Sequence, residues 1–553
     1  MTDPVNTPPA DADAPSNPAR RRLFGAAAAV GLASQLPGIA DAAAQKKIVK
    51  GSLDAKLKAH IKTVVVIYLE NRSFNNLFAN FPGTAWPLSA VTPAQSRQID
   101  RDGTPMTALP KIWGGMVPGR QNLGGQDYLI KEEQIDGLPN APFMLKDLEG
   151  KPLPEGLVTR DLVHRFYTNQ MQINGGKNDG FAAWGDSGAL VMGRYGETGE
   201  HLNLWQIARE YTLCDYFFMS AFGGSYMNHQ FLISGRPNEY FNAADTAAKT
   251  KFTVLADGPT GVRLALAPDC PPSALGGKPK YVHDGALTPD GYAVNTMAPP
   301  YQPSYIRPAP GGDPLLSDPD DASTLPPQTY DTIGDLLSRK GVSWAWYAGA
   351  FQAALNKKGD GSKPNFQYHH QPFNYFKQFA PGTAARAEHL RDAGMGDSPI
   401  SNKFIAAALA GTLPAVTFYK PQGNLNLHAG YSDIESGDAH IANVIQHLKS
   451  SPQWENMLVV ITFDENGGWW DHVAPPKGDR WGPGTRVPAI IVSPFAKKGA
   501  VDHTFYDTTS IMRFITRLHD LPLLQGLEVR NKAFAARGAV PPGDLTGALQ
   551  FRA

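Results

Sequence analysis

The sequence has 553 residues, in which 51 lysines and arginines balance 51 aspartates and glutamates. This length predicts two domains or one enlarged α/β domain with insertions. Without a basic excess, nucleic acid is not an expected partner. Two cysteines, Cys214 and Cys270, are too few for a disulfide-stapled fold, and one disulfide or two free thiols both fit the sequence.

The first 44 residues have the basic, then apolar, then small-residue arrangement that is typical of an export signal. Three arginines at positions 20–22 precede an apolar segment from Gly25 to about Leu36, and small residues follow as far as Ala44. Arg21, Arg22 and Phe24 resemble a twin-arginine signal. A disordered basic tail and a membrane anchor are the alternatives, but an apolar segment of roughly twelve residues is too short to span a bilayer. We therefore predict a periplasmic or secreted protein whose mature chain has no integral membrane segment.

Two apolar segments are predicted to be strands that end in oxygen-bearing side chains. Residues 63–69 run into Glu70 and Asn71, and residues 457–463 run into Asp464 and Glu465. Such runs, rich in β-branched residues, are typical of parallel strands buried on both faces. Ligands bind at the carboxyl ends of these strands. If the two strands are neighbours, three carboxylates and one amide meet where a hard divalent cation would bind.

The segments between these strands differ in regularity. Residues 75–160 lack periodicity and are predicted to be long surface connections. Residues 251–330 hold 15 of the 47 prolines, which disfavours a regular core element and predicts an insertion that forms a lid or cap. We expect one catalytic domain over residues 45–530 and a C-terminal tail over residues 531–553.

Helical and extended patterns alternate in the rest of the chain. Helical spacing occurs within residues 203–211, 333–337, 441–448 and 511–518, with Thr508 as a candidate N-cap of the last helix. Strands are predicted at residues 214–218, 343–347, 415–418 and 489–492. From residue 330 to 520 this alternation predicts a parallel sheet with right-handed crossovers.

Six motifs occur in one order along the chain. They are Leu-Glu-Asn-Arg-Ser-Phe (69–74), Gly-Gly-Lys-Asn-Asp-Gly-Phe (175–181), Gly-Gly-Ser-Tyr-Met-Asn-His (223–229), His-His-Gln-Pro-Phe (369–373), the segment 462–473, and Arg-Val-Pro (486–488) before Val-Ser-Pro (492–494). In these motifs the chain resembles the bacterial phosphoesterase family of phospholipases C and acid phosphatases. The resemblance implies an alkaline-phosphatase-like α/β fold, with a mostly parallel sheet flanked by helices.

The same resemblance implies a metal site and a nucleophile. The implied ligands of one divalent ion are Glu70, Asn71, Ser225, Asp464 and Glu465, and Ser225 is also the implied nucleophile. Oxygen ligands suit Ca, Mg or Mn, whereas nearby histidines also admit Zn or Fe. Taken alone, Glu70 and Asn71 could instead cap a helix, and Ser225 could be a turn residue after two glycines.

Other implied catalytic residues would hold phosphate oxygens or protonate the leaving group. They are His164, His369, His370, His428 and Lys177. Taken singly, His164 and His428 could instead be core or surface residues, and Lys177 could be an exposed loop lysine. His472 is a weaker candidate.

Three functions fit these residues. Gly224-Ser225 and the paired His369-His370 resemble the acid phosphatase branch, so the leading prediction is an exported, metal-dependent acid phosphatase that acts on small phosphomonoesters through a phosphoserine. The alternative enzyme is a phospholipase C that cleaves phospholipid head groups. A non-catalytic exported metal-binding or interaction protein is the alternative of another class.

Overall fold

A computed structural model describes residues 53–196, 199–357 and 365–551. The predicted export signal, residues 1–44, lies outside these ranges. Within them, no helix combines the length and apolar character that crossing a membrane requires.

An eight-stranded sheet forms the centre of the fold. Its strands in chain order are β1 (Thr63–Leu69), β2 (Thr212–Cys214), β3 (Trp344–Gly349), β4 (Leu390–Gly394), β5 (Val416–Lys420), β6 (Met457–Phe463), β7 (Ala489–Val492) and β8 (Ala500–Asp502). They lie in the order β4-β3-β5-β1-β6-β7-β2-β8. Every neighbouring pair is parallel except the two pairs that contain β7. The predicted mostly parallel α/β sheet is therefore confirmed.

Strand β7 differs from the prediction because it runs antiparallel to β6 and β2. A parallel return usually needs a helical crossover, and the connection from residue 464 to 488 contains no helix. The chain turns back through irregular segments instead.

Strands β1 and β6 are neighbours, as the metal-site hypothesis requires. Every residue of both strands is buried. Their parallel register pairs Leu69 with Phe463. Because the strands end at the same level, Glu70 and Asp464 follow side by side.

Helices pack against this sheet and agree with the predicted helical segments. Asn203–Glu210 contacts β2 and β7, and Ile333–Arg339 contacts β3. The other α-helices with assigned bounds are Phe74–Phe78, Pro93–Ser96, Phe166–Ile173, Phe181–Trp184, Ser225–Ser234, Phe351–Leu355, Ala384–His389, Lys403–Leu409, Ile434–Lys449, Thr509–Leu518 and Gln525–Ala536. Gln525–Ala536 spans the predicted tail boundary at residue 530.

Thr508 lies at the predicted N-cap position, directly before the helix Thr509–Leu518. Its side chain makes no capping hydrogen bond to the helix Thr509–Leu518. It accepts a hydrogen bond from the Ser220 N–H at 3.3 Å, while Asp507 Oδ1 accepts from the Thr509 N–H at 2.8 Å. Asp507, one residue before Thr508, therefore supplies the side-chain acceptor for the first N–H group of this helix.

The predicted strand at residues 214–218 divides into two. Strand β2 ends at Cys214, and Phe217–Phe218 pairs with Tyr506–Asp507 outside the central sheet. Between them, buried Asp215 accepts hydrogen bonds from the Thr84 hydroxyl and the Ala85 N–H, so the chain leaves the sheet at this point. Three further small sheets pair Val117–Leu123 with Gln126–Ile130, Phe143–Met144 with Gly193–Arg194, and Asn238–Glu239 with Tyr292–Ala293.

The proline-rich insertion has no α-helix between residues 251 and 330, and many hydrogen bonds tie it to the core, two of them beside the site described below. Arg165 Nε donates to Asp284 Oδ2 at 2.5 Å, and the Phe166 N–H donates to Asn295 Oδ1 at 3.0 Å. Cys214 is buried and Cys270 is partly exposed, and both are free thiols.

Candidate active site

The ends of β1 and β6 bring four predicted metal ligands together. Glu70, Asn71, Asp464 and Glu465 are all fully buried. The N–H groups of Asn71 and Glu465 donate to Asp464 Oδ1 at 3.1 and 2.7 Å. A Cβ at Gly467 would lie 2.4 Å from the Asn71 carbonyl oxygen, so only glycine allows this close approach of the two segments.

Several polar atoms in this cluster have no hydrogen-bond partner among the described residues. They are Asn71 Oδ1, His229 Nε2, Asp464 Oδ2 and Glu465 Oε1. Glu70, His229 and Asp464 can each offer one ligand atom within 4.8 Å of the others. Buried polar atoms normally find partners, and carboxylate, amide and imidazole donors fit a divalent cation. The residues present therefore fit a metal site.

The carboxylates of this cluster have strongly perturbed pKa values. Burial raises the pKa of Asp464 well above its usual value, and the charge of Glu70 adds to this effect. Burial likewise raises the pKa of Glu465. For Glu70 burial acts in the same direction, but Lys420 and His370 outweigh it and hold the pKa well below its usual value. The cluster concentrates negative charge that a cation would stabilise.

Ser225 joins this cluster from a different part of the chain. Its hydroxyl donates to Glu70 Oε2 at 2.8 Å. Ser225 is the first residue of the ten-residue helix Ser225–Ser234, whose N-terminal N–H groups and dipole favour a bound anion. A hydroxyl and an anion-binding helix end therefore meet beside the carboxylates.

The two glycines before Ser225 allow a tight packing of the turn. Gly223 has a φ of 90°, and a Cβ there would lie 2.5 Å from the Phe166 nitrogen. A Cβ on Gly224 would lie 2.7 Å from the His164 carbonyl oxygen. Both the turn interpretation and the nucleophile interpretation of this motif are thus compatible with the structure.

His370 contacts Glu70 from below the cleft. Its Nε2 lies 2.8 Å from Glu70 Oε1. The Gln367 N–H donates to His370 Nδ1 at 3.5 Å, so in the neutral ring Nε2 carries the proton, and this atom faces the carboxylate. Burial lowers the pKa of His370 to about 4, although Glu70 opposes this shift. A neutral His370 therefore helps to hold Glu70.

His164 and His428 present their Nε2 atoms towards the same cluster. Each uses its Nδ1–H to donate to a backbone carbonyl, that of Leu162 at 2.6 Å for His164 and that of Ala429 for His428. Asn71 Nδ2 lies 3.4 Å from His164 Nε2, and His428 Nε2 lies 4.0 Å from Glu70 Oε2. Backbone contacts of this kind fix both the tautomer and the ring orientation.

A cleft of about 500 Å³ opens above Ser225. His164, Ser225, His369 and His428 line it, and burial lowers the pKa of both His369 and His428. The proline-rich insertion supplies one wall through residues 294–296. The rest of the lining consists of residues 161–163, Arg165, Asp186, Gly224, Tyr226, Gln367, Tyr368 and Tyr431.

Lys177 does not lie in this cleft. It is exposed and lines a separate cavity together with Arg97 and His472. The structure therefore brings together every predicted site residue except Lys177 and the weaker candidate His472.

Sequence reasoning missed two buried residues of the cluster. Lys420 ends β5, and its Nζ lies 2.5 Å from Glu70 Oε1. His229 lies four residues after Ser225 on the same helix, and its Nδ1–H donates to the Ser225 carbonyl at 2.7 Å. Burial lowers the pKa of His229 well below its usual value. The sequence signal for Lys420 was its position at the end of an apolar strand. The signal for His229 was its spacing of four residues from Ser225, which puts both on one helix face.

The phosphoesterase family model matches residues 61–522, which is most of the chain. The chain belongs to the phosphoesterase family. It is a hydrolase that acts on phosphoric ester bonds.

Relatives in this family include bacterial and plant proteins. Phospholipase C B of Mycobacterium tuberculosis (strain ATCC 25618 / H37Rv) is 22% identical over 567 residues, covering 97% of this chain and 86% of the relative. Non-specific phospholipase C6 of Arabidopsis thaliana is 33% identical over 151 residues, covering 22% of this chain and 29% of the relative. A solved protein of the alkaline phosphatase superfamily from Vibrio parahaemolyticus has a TM-score of 0.29 and 10% identity, over 61% of this chain and 64% of that one.

Proposed function

We propose that this protein is an exported, metal-dependent phosphatase that hydrolyses phosphomonoesters through a phosphoserine at Ser225. The observation that carries the proposal is the hydrogen bond from Ser225 Oγ to Glu70 Oε2 at 2.8 Å, at the base of the cleft. This bond supports the proposal because a serine hydroxyl that donates to a carboxylate has a base beside it that could take its proton.

Five residues would hold the divalent cation, namely Glu70, Asn71, Ser225, Asp464 and Glu465. When bound there, the cation would favour the serine alkoxide and neutralise charge on the phosphoryl oxygens. The unpaired oxygens of Asn71, Asp464 and Glu465 support this assignment.

The cleft residues have distinct tasks in the proposed reaction. Ser225 Oγ forms the new bond to phosphorus as the bond to the leaving oxygen breaks, and its proton is already directed at Glu70 Oε2. His164 and His428 face the cluster with unprotonated Nε2 atoms, so the leaving oxygen would take the proton that Ser225 gives to Glu70 Oε2. His428 Nε2, 4.0 Å from Glu70 Oε2, would relay it. Water then hydrolyses the phosphoserine and releases phosphate.

A second candidate substrate is the phosphodiester bond of a phospholipid head group. The relatives named phospholipase C favour it, as does an apolar face on the proline-rich insertion. There the Ala265 N–H donates to the Val254 carbonyl, and the Val282 N–H donates to the Ala265 carbonyl, at 3.0 and 2.8 Å. These three residues therefore share one face, on which Val254 and Val282 are 41% and 53% exposed. Such a face would suit contact with a lipid surface.

One set of assays separates these candidates. We expect wild-type protein to hydrolyse p-nitrophenyl phosphate faster than p-nitrophenyl phosphorylcholine, and the reverse preference would favour the phospholipase. Ser225→Ala should lose at least about 100-fold in kcat. Ser234→Ala is the matched control, because Ser234 is buried on the same helix and its hydroxyl donates only to the Gln230 and Arg236 carbonyls. Full activity of Ser225→Ala would refute Ser225 as the nucleophile, whereas an inactive wild type would support the non-catalytic alternative.

Metal and export need their own measurements. Chelation should abolish activity, and restoration by single divalent ions would identify the metal. Fractionation of cells that express the full chain should recover the protein outside the cytoplasm, whereas Arg21→Lys together with Arg22→Lys should retain it inside.

A further inference from the structure

Lys420 is a buried cation inside the candidate active site. It is the last residue of β5, and its side chain is 0% exposed. Its Nζ lies 2.5 Å from Glu70 Oε1 and 5.5 Å from the centre of the Tyr68 ring. Burying an ammonium group is costly unless an opposite charge compensates it. Lys420 is therefore matched to Glu70 in particular.

The two oxygens of Glu70 have different partners. Lys420 Nζ and His370 Nε2 both approach Oε1, at 2.5 and 2.8 Å. The other oxygen, Oε2, accepts the hydrogen bond from Ser225 Oγ. Because Oε1 is held on one side, the carboxylate cannot rotate without breaking the contacts of Lys420 and His370. The pair thereby fixes the direction in which Oε2 points.

The charges of the cluster suggest a second role. Lys420 is the only lysine or arginine that the described residues place in an ion pair with Glu70, Asp464 or Glu465. When a bound metal keeps all three carboxylates ionised, one ammonium among them leaves two negative charges, which one divalent cation neutralises. A second divalent ion would add an excess of positive charge in a buried site, which is unfavourable.

We propose that Lys420 is a positioning residue that serves as the permanent second cation of this site. It holds Glu70 by Oε1, keeps Oε2 directed at Ser225 Oγ, and limits the site to one divalent ion. This inference rests on the proposed function for its effect on the rate, but its effects on metal content and on folding do not depend on activity.

The first test compares Lys420→Met with Lys420→Arg in the full chain. We expect Lys420→Met to lower kcat about 100-fold with KM changed less than threefold, because a misdirected nucleophile slows the chemical step more than substrate binding. Divalent metal per chain, measured by mass spectrometry, should be one in the wild type and should not fall in Lys420→Met. Lys420→Arg keeps the positive charge, so its kcat should be at least tenfold higher than that of Lys420→Met.

The matched control is Thr417→Val. Thr417 is buried on the same strand, and its hydroxyl donates to the Pro414 carbonyl, away from the cluster. This variant should keep wild-type kcat and metal content. The proposal is overturned if Lys420→Met keeps more than a third of kcat, or if it loses the metal, since the lysine would then serve metal binding itself.

A second measurement decides the matter if Lys420→Met folds poorly. Removing both partners, in Lys420→Met with Glu70→Gln, should raise the thermal midpoint above that of Lys420→Met, because the carboxylate that Lys420 compensated is then removed as well. A double variant no more stable than the single one contradicts the pairing. An inactive wild type with normal metal content would instead contradict the proposed function. The metal content and thermal stability of the Lys420 variants would then still test whether Lys420 pairs with Glu70.

Discussion

The Ser225 hydroxyl donates to Glu70 Oε2 at 2.8 Å, across a sequence separation of 155 residues. This contact joins the N-terminus of a helix to the carboxyl end of the central strand β1. The helix end favours an anion and the strand end favours a cation. A phosphate ester and a divalent cation can therefore be accommodated side by side, with the serine hydroxyl between them.

Asp464→Asn should have opposite effects on activity and on the stability of the metal-free protein. Asp464 is fully buried, and its Oδ1 accepts two backbone N–H groups that an asparagine oxygen could still accept. Removing one of three clustered carboxylate charges should raise the free energy of unfolding in chelator by about 1–2 kcal/mol. The loss of a metal ligand should lower kcat at least about 100-fold.

Chemical denaturation in chelator and steady-state kinetics with metal measure these two effects. Exposed Asp320 offers the control, and Asp320→Asn should change neither. A metal-free Asp464→Asn protein that is less stable than the wild type would contradict the idea that the carboxylates repel one another.

Gly224→Ala should disturb the loop that carries His164. The added methyl group would lie 2.7 Å from the His164 carbonyl oxygen, so the backbone must shift. We expect a loss of about 1–3 kcal/mol in the free energy of unfolding and at least a tenfold drop in kcat. Gly119→Ala is the control, since nothing lies within 4 Å of its added methyl group. Equal behaviour of the two variants would show that the close contact is unimportant.

The strand ends could be predicted from sequence, whereas their convergence with Ser225 could not. Strands β1 and β6 are each a mostly apolar segment of seven residues, which is stable in a sheet covered on both faces. Both strands begin and end at the residues that the sequence pattern predicts. Ser225 follows two glycines in a pattern equally typical of a turn, and only the motif resemblance selected it. Local periodicity does not determine which distant segments meet.

The residues that sequence reasoning missed have physical explanations. A lysine at a strand end is usually solvated, and the burial of Lys420 follows from the three-dimensional position of Glu70. The hairpin of Val117–Leu123 and Gln126–Ile130 has mostly exposed strands, so it lacks apolar alternation. Its signal was the turn at Gly124 and Gly125, where both φ angles are positive. The direction of β7 depends on a connection without regular structure.

His472 should make the stability of the protein depend on pH. Burial lowers the pKa of His472 to about 4, and its Nδ1 lies 3.0 Å from the Asn75 side-chain amide. An unfolded histidine has a pKa near 6.5, so between these values the unfolded state binds more protons than the folded state. Stability must therefore fall as the pH is lowered from about 6.5 towards 4, by about 2 kcal/mol at pH 5.

Denaturant unfolding at pH 7 and pH 5 measures this dependence. His472→Gln should lose about 2 kcal/mol less than the wild type between the two pH values. His283→Gln, which replaces an exposed histidine, should behave like the wild type. If His472→Gln keeps the full pH dependence, other groups cause it.

Asp284→Ala should loosen the wall that the insertion adds to the cleft. Asp284 Oδ2 accepts a hydrogen bond from Arg165 Nε at 2.5 Å, and Arg165 lines the cleft. Without this contact we expect KM for p-nitrophenyl phosphate to rise several-fold while kcat changes less than threefold, because the wall binds substrate but does not act on phosphorus. A loss confined to kcat would indicate instead that Arg165 acts in the chemical step.

The most direct test of the central claim is to trap the covalent intermediate. The enzyme is mixed with p-nitrophenyl phosphate, quenched in acid within a single turnover, digested and analysed by mass spectrometry. The account predicts one phosphoryl group on Ser225, present in the wild type and absent from Ser225→Ala. Active enzyme that carries no phosphoryl group on Ser225, or carries it on another residue, would contradict the account.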